Sequence, residues 1–212
     1  MQVLTIHTQR RGYEGRSYLL IDEGTGMCAA IDPDTDGGVI EDTLRDRGWT
    51  LAVILLTHGH YDHIGCVQAL HEAHGCPIAI HRLDAPKLTD PEANLSAMIG
   101  APMVQCPPTQ LLEDGDEVQV GDLAVRVLHV PGHTAGGVAY LCQDVLFSGD
   151  TLFWNSVGRW DFPGGNKRQL FSAIASKLLT LPEDTQVYPG HFGPTTIGHE
   201  KQYNPYAQEL QA

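Results

Sequence analysis

Hydrophobic and polar positions along the chain fall into short strand-like runs interleaved with helical stripes. VLTIHT (3–8) alternates, which predicts a strand with one covered face. RSYLLIDEG (16–24) and MCAAIDP (27–33) are apolar runs closed by Gly, Asp or Pro, and read as two more strands. GGVIEDTLRDRGW (37–49) spaces Val39, Ile40 and Leu44 among charges and predicts a helix stopped near Gly48. LAVILLT (51–57) is almost unbroken in its apolarity, as a strand covered on both faces requires. HIGCVQALHEAHG (63–75) reads as the next helix and PIAIH (77–81) as the strand after it. Between Leu83 and Pro108 the pattern weakens and prolines gather, which predicts a surface excursion with one or two short helices. The grammar then repeats. DEVQVGDLAVRVLHV (116–130) predicts a hairpin turning at Gly121–Asp122, and GGVAYLC (136–142) and DVLFSGD (144–150) predict two strands. QLFSAIASKLLTL (169–181) carries a helical stripe, TQVYPGH (185–191) a last strand, and His199 to Tyr203 a short last helix.

Strand-rich and helical segments therefore alternate in two similar halves. That predicts an α/β (α+β) fold with two sheet layers and helices outside them. No low-complexity linker interrupts the chain, so 1–212 is expected to be a single domain.

Composition narrows the classes. Acidic residues outnumber basic ones by 26 to 13, a formal charge of −13 that repels phosphate backbones and argues against nucleic acid as a partner. Cys28, Cys66, Cys76, Cys106 and Cys142 form no CxxC pair, and an odd scattered set predicts buried free thiols in a reducing compartment. No signal-like leader or membrane-length apolar run is visible, so the expectation is a cytoplasmic protein with no membrane partner. Oligomeric state is not legible.

The chemistry concentrates in THGHYDHIG (57–65), which packs His58, His60, Asp62 and His63 into six residues. On an extended loop after LAVILLT, residues i and i+2 share a side, so His58 and His60 can converge on one ion. A helix would set them on nearly opposite faces, which excludes an HExxH type of site. Asp62 and His63 fall where the next helix is expected to begin. Three further ligand-type residues sit beside glycine straight after predicted strands: His133 in PGHT, Asp150 in FSGDT and His191 in YPGH. His58 and His60 with His133 make one nitrogen-rich set; Asp62, His63 and His191 make another; Asp150 has two oxygens and can bridge them. Such a shared set suits two metals with a hydroxide between. The remaining histidines, His7, His71, His74, His81, His129 and His199, read as structural or solvated, with His129 the one candidate for a supporting role near the site.

The string His58–Gly59–His60–Tyr61–Asp62–His63, followed by His133, Asp150 and His191, resembles the metallo-β-lactamase superfamily. LFSGDTLFWNSVGRWDFPGGN and VYPGHFGPTTIGHEKQYNP are similar to small glyoxalase II-like (hydroxyacylglutathione hydrolase-like) hydrolases. The resemblance implies a four-layer αββα sandwich with the metals at one edge between the sheets. It implies two divalent metal ions, zinc first, with iron or manganese as alternatives. His58, His60 and His133 would hold the first, Asp62, His63 and His191 the second, and Asp150 would bridge. The implied reaction is hydrolysis of a small-molecule thioester such as S-lactoylglutathione by a metal-bound hydroxide, with Asp62 orienting that hydroxide. A thioester suits the site because its thiolate leaves without strong protonation.

Arg159, Lys167 and Arg168 follow Asp150 and are the candidate contacts for an anionic substrate. The sequence departs from full-length glyoxalase II in having only 21 residues after His191, with Lys201 the sole basic one, where those enzymes carry a glutathione-binding helical domain. Trp160 replaces a small polar residue, and HFGP replaces the commoner HGP. The rival reading is a persulfide dioxygenase, which shares the ligand string but uses one Fe(II) on His58, His133 and Asp150. A third is a metal-binding protein without turnover, against which the complete ligand set argues.

Overall fold

In the computed structural model, residues 1–10, 13–34, 37–206 and 209 are described. Two six-stranded sheets face each other. The first has the order β1(Gln2–Arg10), β2(Tyr13–Asp22), β3(Met27–Ile31), β4(Thr50–Leu55), β5(Ile78–His81), β6(Gln110–Leu112). Its first three strands pair antiparallel and the rest parallel. The crossovers between β3, β4 and β5 carry helices α1(Gly37–Arg47) and α2(Val67–His74), as parallel connections demand. In the second sheet β7(Glu117–Val120), β8(Leu123–His129), β9(Val138–Cys142) and β10(Val145–Gly149) run antiparallel. β13(Gln186–Pro189) then joins parallel to β10, and β14(Thr195–Thr196) antiparallel to β13. β11(Leu152–Phe153) and β12(Ser156–Val157) form a separate small hairpin. Helices α3(Lys167–Ala173) and α4(Ile197–Tyr203) belong to the second half, and α3 runs on into a π-turn over Ile174–Leu178.

Strand alternation divides the core into three. Leu19, Ile21, Ala30 and Ile54 pack with Ile40, Leu44, Val67 and Leu70 of α1 and α2. Their neighbours Tyr18, Leu20, Ile31, Val53 and Leu55 turn the other way, onto Val125, Val127, Tyr140 and Phe147 of the second sheet. The outer face of that sheet, with Leu146 and Val187, packs on Leu170, Ile174 and Leu178 after α3 begins and on Ile197 of α4. Three cores separate four layers, helix–sheet–sheet–helix, as expected. LAVILLT is apolar throughout because Ile54 and Leu56 face the helices while Val53 and Leu55 face the opposite sheet.

Most predicted elements appear. Gly48 (φ +66°) follows α1, and Gly121 (φ +59°) opens the two-residue turn that sets Val120 against Leu123. Two expectations are corrected, and four short strands are added. α2 starts at Val67 rather than at Asp62 and His63, because Cys66 N–H donates to Pro33 O (3.1 Å) and Gly65 presses on Asp34, drawing the chain into turns first. The segment from 83 to 108 is less superficial than its pattern. It holds a 3₁₀ turn (Ala85–Leu88), and Leu88, Asn94, Leu95 and Ser96 are buried, with the Asn94 amide donating to Lys87 O (3.0 Å) and Met103 O (2.9 Å). Finally β6, β11, β12 and β14, two or three residues each, are too short for periodicity to reveal.

All five cysteines are free, and all but Cys106 are buried. Burial pushes the Cys28 thiol up to about 12 and the Cys76 thiol up to about 11, which makes both inert. Among the described residues, no helix is long and apolar enough to cross a membrane.

Candidate metal centre

Four strand ends meet at one edge of the sandwich. The loop 57–65 follows β4, His133 follows β8, Asp150 follows β10, and His191 follows β13. Backbone bonds hold this edge together: Val138 N–H donates to Thr57 O (2.8 Å), Arg16 N–H to Gly190 O (3.1 Å), and Gly190 N–H to Gly149 O (3.0 Å). Two buried tyrosines cross between sheets, Tyr140 donating to Leu56 O (2.7 Å) and Tyr18 to Pro189 O (2.6 Å).

All seven predicted ligand residues come together. His58, His60 and His133 form an edge-on triangle of rings with centroids 4.7, 4.8 and 4.8 Å apart. His60 Nδ1 lies 3.0 Å from His133 Nε2. Asp62, His63 and His191 make a second group, with His191 Nε2 3.4 Å from Asp62 Oδ2. Asp150 stands between the two. Its Oδ1 is 3.4 Å from His63 Nε2, and its Oδ2 is 3.6 Å from His133 Nε2 and 3.5 Å from His191 Nε2.

These residues fit metal ions. Donors at about 2.0–2.1 Å from a tetrahedral ion stand roughly 3.3 Å from one another. The separations of 3.0–3.6 Å between facing donor atoms bracket that value. Nε2 of His58, Nε2 of His63 and Oδ1 of Asp150 are buried and make no hydrogen bond among the described residues. Such atoms are costly unless something binds them. A third grouping, Asp32 with His58 and His63, is also compact, but the Asp32 oxygens already accept hydrogen bonds. It supports the donors.

The electrostatics agree with this division. Burial, reinforced by the neighbouring imidazoles, pushes His58 and His60 well below the usual histidine range, so both are neutral donors. Burial also works against ionised Asp150 and Asp62, yet the imidazoles of His63 and His191 outweigh it and hold both carboxyls low. In return, and again against burial, Asp150 raises His63 well above its ordinary value and raises His191 to about 10. Two carboxylates, Asp62 and Asp150, thus call for positive charge in this part of the site.

Asp32 and Asp84 escaped the sequence reading. Asp32 accepts from Thr57 N–H (2.7 Å) and Thr57 Oγ1–H (2.6 Å), and its Oδ2 lies 2.9 Å from His63 Nδ1. Asp84, fully buried, accepts from Gly59 N–H (3.1 Å) and Gly136 N–H (2.8 Å), joining the loops that carry His60 and His133. The signal for Asp32 was present: it ends a strand in IDP, the same position that singled out Asp150. Asp84 sits in a stretch without a pattern. His133 Nδ1 donates to Arg159 O (2.7 Å), so the Arg159 backbone, not its side chain, orients a donor. His129 fits its structural reading: it stacks on His81 (centroids 4.2 Å, 7°) with Nε2 donating to Ala135 O (2.9 Å), and neither contact is with a candidate donor.

The donors open into a cavity of about 570 Å³ walled by Phe153, Val157, Phe162 and Phe192, with Ser156 and Arg159 at its polar side. Of the expected substrate contacts only Arg159 lines it. Lys167 and Arg168 lie instead along shallow grooves beside α3. Asn166 caps that helix by accepting from Gln169 N–H (3.0 Å), and the first turn carries Lys167 onto Glu209 (2.7 Å).

Comparison with known proteins agrees with this arrangement. Residues 12–191 match the model of the metallo-beta-lactamase superfamily. The chain belongs to that superfamily. Similar relatives are the "Probable metallo-hydrolase YqgX" of Bacillus subtilis, 36% identical over 91% of this chain and 92% of that protein, and the "Hydroxyacylglutathione hydrolase GloC" of Haemophilus influenzae, 33% identical over 88% and 90%. Among solved structures, the BLEG-1 B3 metallo-beta-lactamase superposes with a TM-score of 0.92 at 35% identity, covering 97% of this chain and 99% of the other. TTHA1623 in a di-iron-bound form superposes at 0.82 with 35% identity over 96% and 99%. ETHE1 from Myxococcus xanthus superposes at 0.77 with 30% identity over 97% and 85%. The superfamily consists mostly of metal-dependent hydrolases that bind divalent metals.

Proposed function

We propose that the protein is a metal-dependent hydrolase that cleaves a small-molecule thioester of the S-lactoylglutathione type at a binuclear centre. One observation carries this reading: two donor triplets, His58/His60/His133 and Asp62/His63/His191, flank Asp150 at the floor of a ligand-sized cavity. Zinc is the first choice for both positions. When bound, the ions supply an activated water at neutral pH and a Lewis acid for the acyl oxygen. Asp150 fixes the spacing of the two triplets. Asp62 would orient the attacking water besides serving as a ligand. Arg159 O holds the His133 ring, and Asp32 holds that of His63. The leaving thiolate needs no strong protonation, so the reaction calls for no dedicated general acid. Similarity to a hydroxyacylglutathione hydrolase over nearly the whole chain supports the reading.

The rival is a one-iron persulfide dioxygenase with His58, His133 and Asp150 as ligands, which the structure also brings together. The test uses protein of measured metal content. Thiol release from S-lactoylglutathione and related thioesters, abolished by chelation and restored by zinc, is the expected result. Oxygen uptake with glutathione persulfide at one iron per chain, without thioester cleavage, would replace this reading with its rival.

A further inference from the structure

Phe192 follows the His191 donor directly and has φ +65°. That left-handed conformation suits glycine and is strained for a bulky side chain. The ring is nonetheless 57% exposed, so burial does not offset the strain. A single exposed aromatic needs no explanation. One held in a strained backbone at the mouth of a donor-lined cavity does. Phe192 stands edge-on to Phe153 (5.4 Å), which itself lies 6.1 Å from the His191 ring, and Phe162 faces His60 (5.7 Å) and His133 (6.0 Å) from the other side. All three phenyl rings line the cavity into which the donors open.

The charge on the cavity wall is already matched. The Arg159 guanidinium donates to both Asp161 oxygens (2.9 and 2.8 Å) and lies over the Phe162 ring (4.2 Å). Lys167 and Arg168 lie elsewhere. A thiol limb bearing carboxylates finds no unpaired cation among the lining residues, whereas an uncharged limb finds three rings.

Building on the thioesterase reading, we propose that Phe192, with Phe153 and Phe162, is a specificity clamp that selects thioesters with an uncharged aromatic or aliphatic limb over charged glutathione thioesters. The test separates binding from turnover. Binding to the zinc-loaded protein is measured calorimetrically for two uncleavable thioethers, S-(2-phenylethyl)-N-acetylcysteamine and S-propylglutathione. Turnover is measured on the matching thioesters, S-phenylacetyl-N-acetylcysteamine and S-lactoylglutathione. The expected wild-type preference for the uncharged thioether is about tenfold or more, and Phe192→Ala brings the ratio close to one. Phe192→Gly, which relieves the backbone strain, is the folding control and gives the same collapse. Equal or tighter binding of the glutathione thioether, or a ratio unchanged in both variants, overturns the clamp. If the uncharged thioether is preferred but neither thioester is cleaved, the clamp stands and the hydrolase reading falls.

Discussion

Asp32 Oδ2 lies 2.9 Å from His63 Nδ1, and the same carboxylate accepts two hydrogen bonds from Thr57. The pair directs His63 Nε2 at Asp150 and fixes the start of the donor loop. Partners of this kind commonly contribute about 10–100-fold to metal affinity. Asp32 also has φ +47°, which asparagine tolerates better than most residues. Asp32→Asn is therefore expected to keep the fold and to weaken the ion at Asp62/His63/His191 by about 10–100-fold. Asp32→Ala adds a backbone penalty and melts lower. Competition with a chromogenic chelator measures the first effect, and wild-type affinity for both ions in Asp32→Asn would remove Asp32 from this role.

Gly190 packs against the same donor group. A Cβ there would lie 2.6 Å from Asp150 Oδ1 and 2.6 Å from His63 Cε1, both packed side chains without freedom to swing away. Gly190→Ala should leave the sheets intact, because the contact is with side chains at the site. Metal content should fall from two equivalents per chain toward one. Elemental analysis alongside a circular dichroism melt reads both, and full occupancy in Gly190→Ala would show that the site has slack.

Five of the candidate donors were legible through two local rules: His58 and His60, at i and i+2, converge on an extended loop, and His133, Asp150 and His191 each follow a strand and a glycine, while Asp62 and His63 obey neither rule. The layering was legible for a similar reason, since Leu19 and Leu20 face opposite cores by strand alternation alone. What escaped depends on long-range contact. Asp84 meets Gly59 and Gly136 from across 25 and 52 residues, and no local pattern marks it. Lys167 and Arg168 were misplaced because they follow Asp150 in sequence while α3 carries them out along its own surface grooves.

Asp84 offers a test of that hidden link. Its carboxylate is the acceptor for two amide protons on two donor loops, and it is fully buried. Asp84→Ala leaves both amides unpaired, at about 1–3 kcal/mol each. Asp84→Asn retains one acceptor oxygen and should lose roughly half as much. In both variants the ion on His58, His60 and His133 should weaken more than its neighbour, since those loops carry its donors. Chemical denaturation with stepwise metal titration distinguishes this from general destabilisation, which would weaken both ions equally.

A second carboxylate ties the sheets at a distance from the candidate metal centre. Asp22 ends β2 and accepts from Gly24 N–H (3.1 Å) and Thr25 Oγ1–H (2.7 Å) in its own turn. Across the gap it accepts from Asp122 N–H (2.8 Å) in the β7–β8 turn. The Asp122 amide, and after it the Thr25 hydroxyl, holds the Asp22 carboxyl below the usual carboxylate range. The folded-state pKa therefore lies below the unfolded value of about 3.9. Its stabilisation is fully present above that unfolded value and is lost as pH falls through the folded pKa. Asp22→Asn cannot ionise, so it should be less stable than the parent at neutral pH, with the gap narrowing below about pH 4. Denaturation midpoints with chelator present, so that acid release of metal does not enter, read the gap. A difference that stays constant from neutral to acid pH would mean that the link owes nothing to the charge on Asp22.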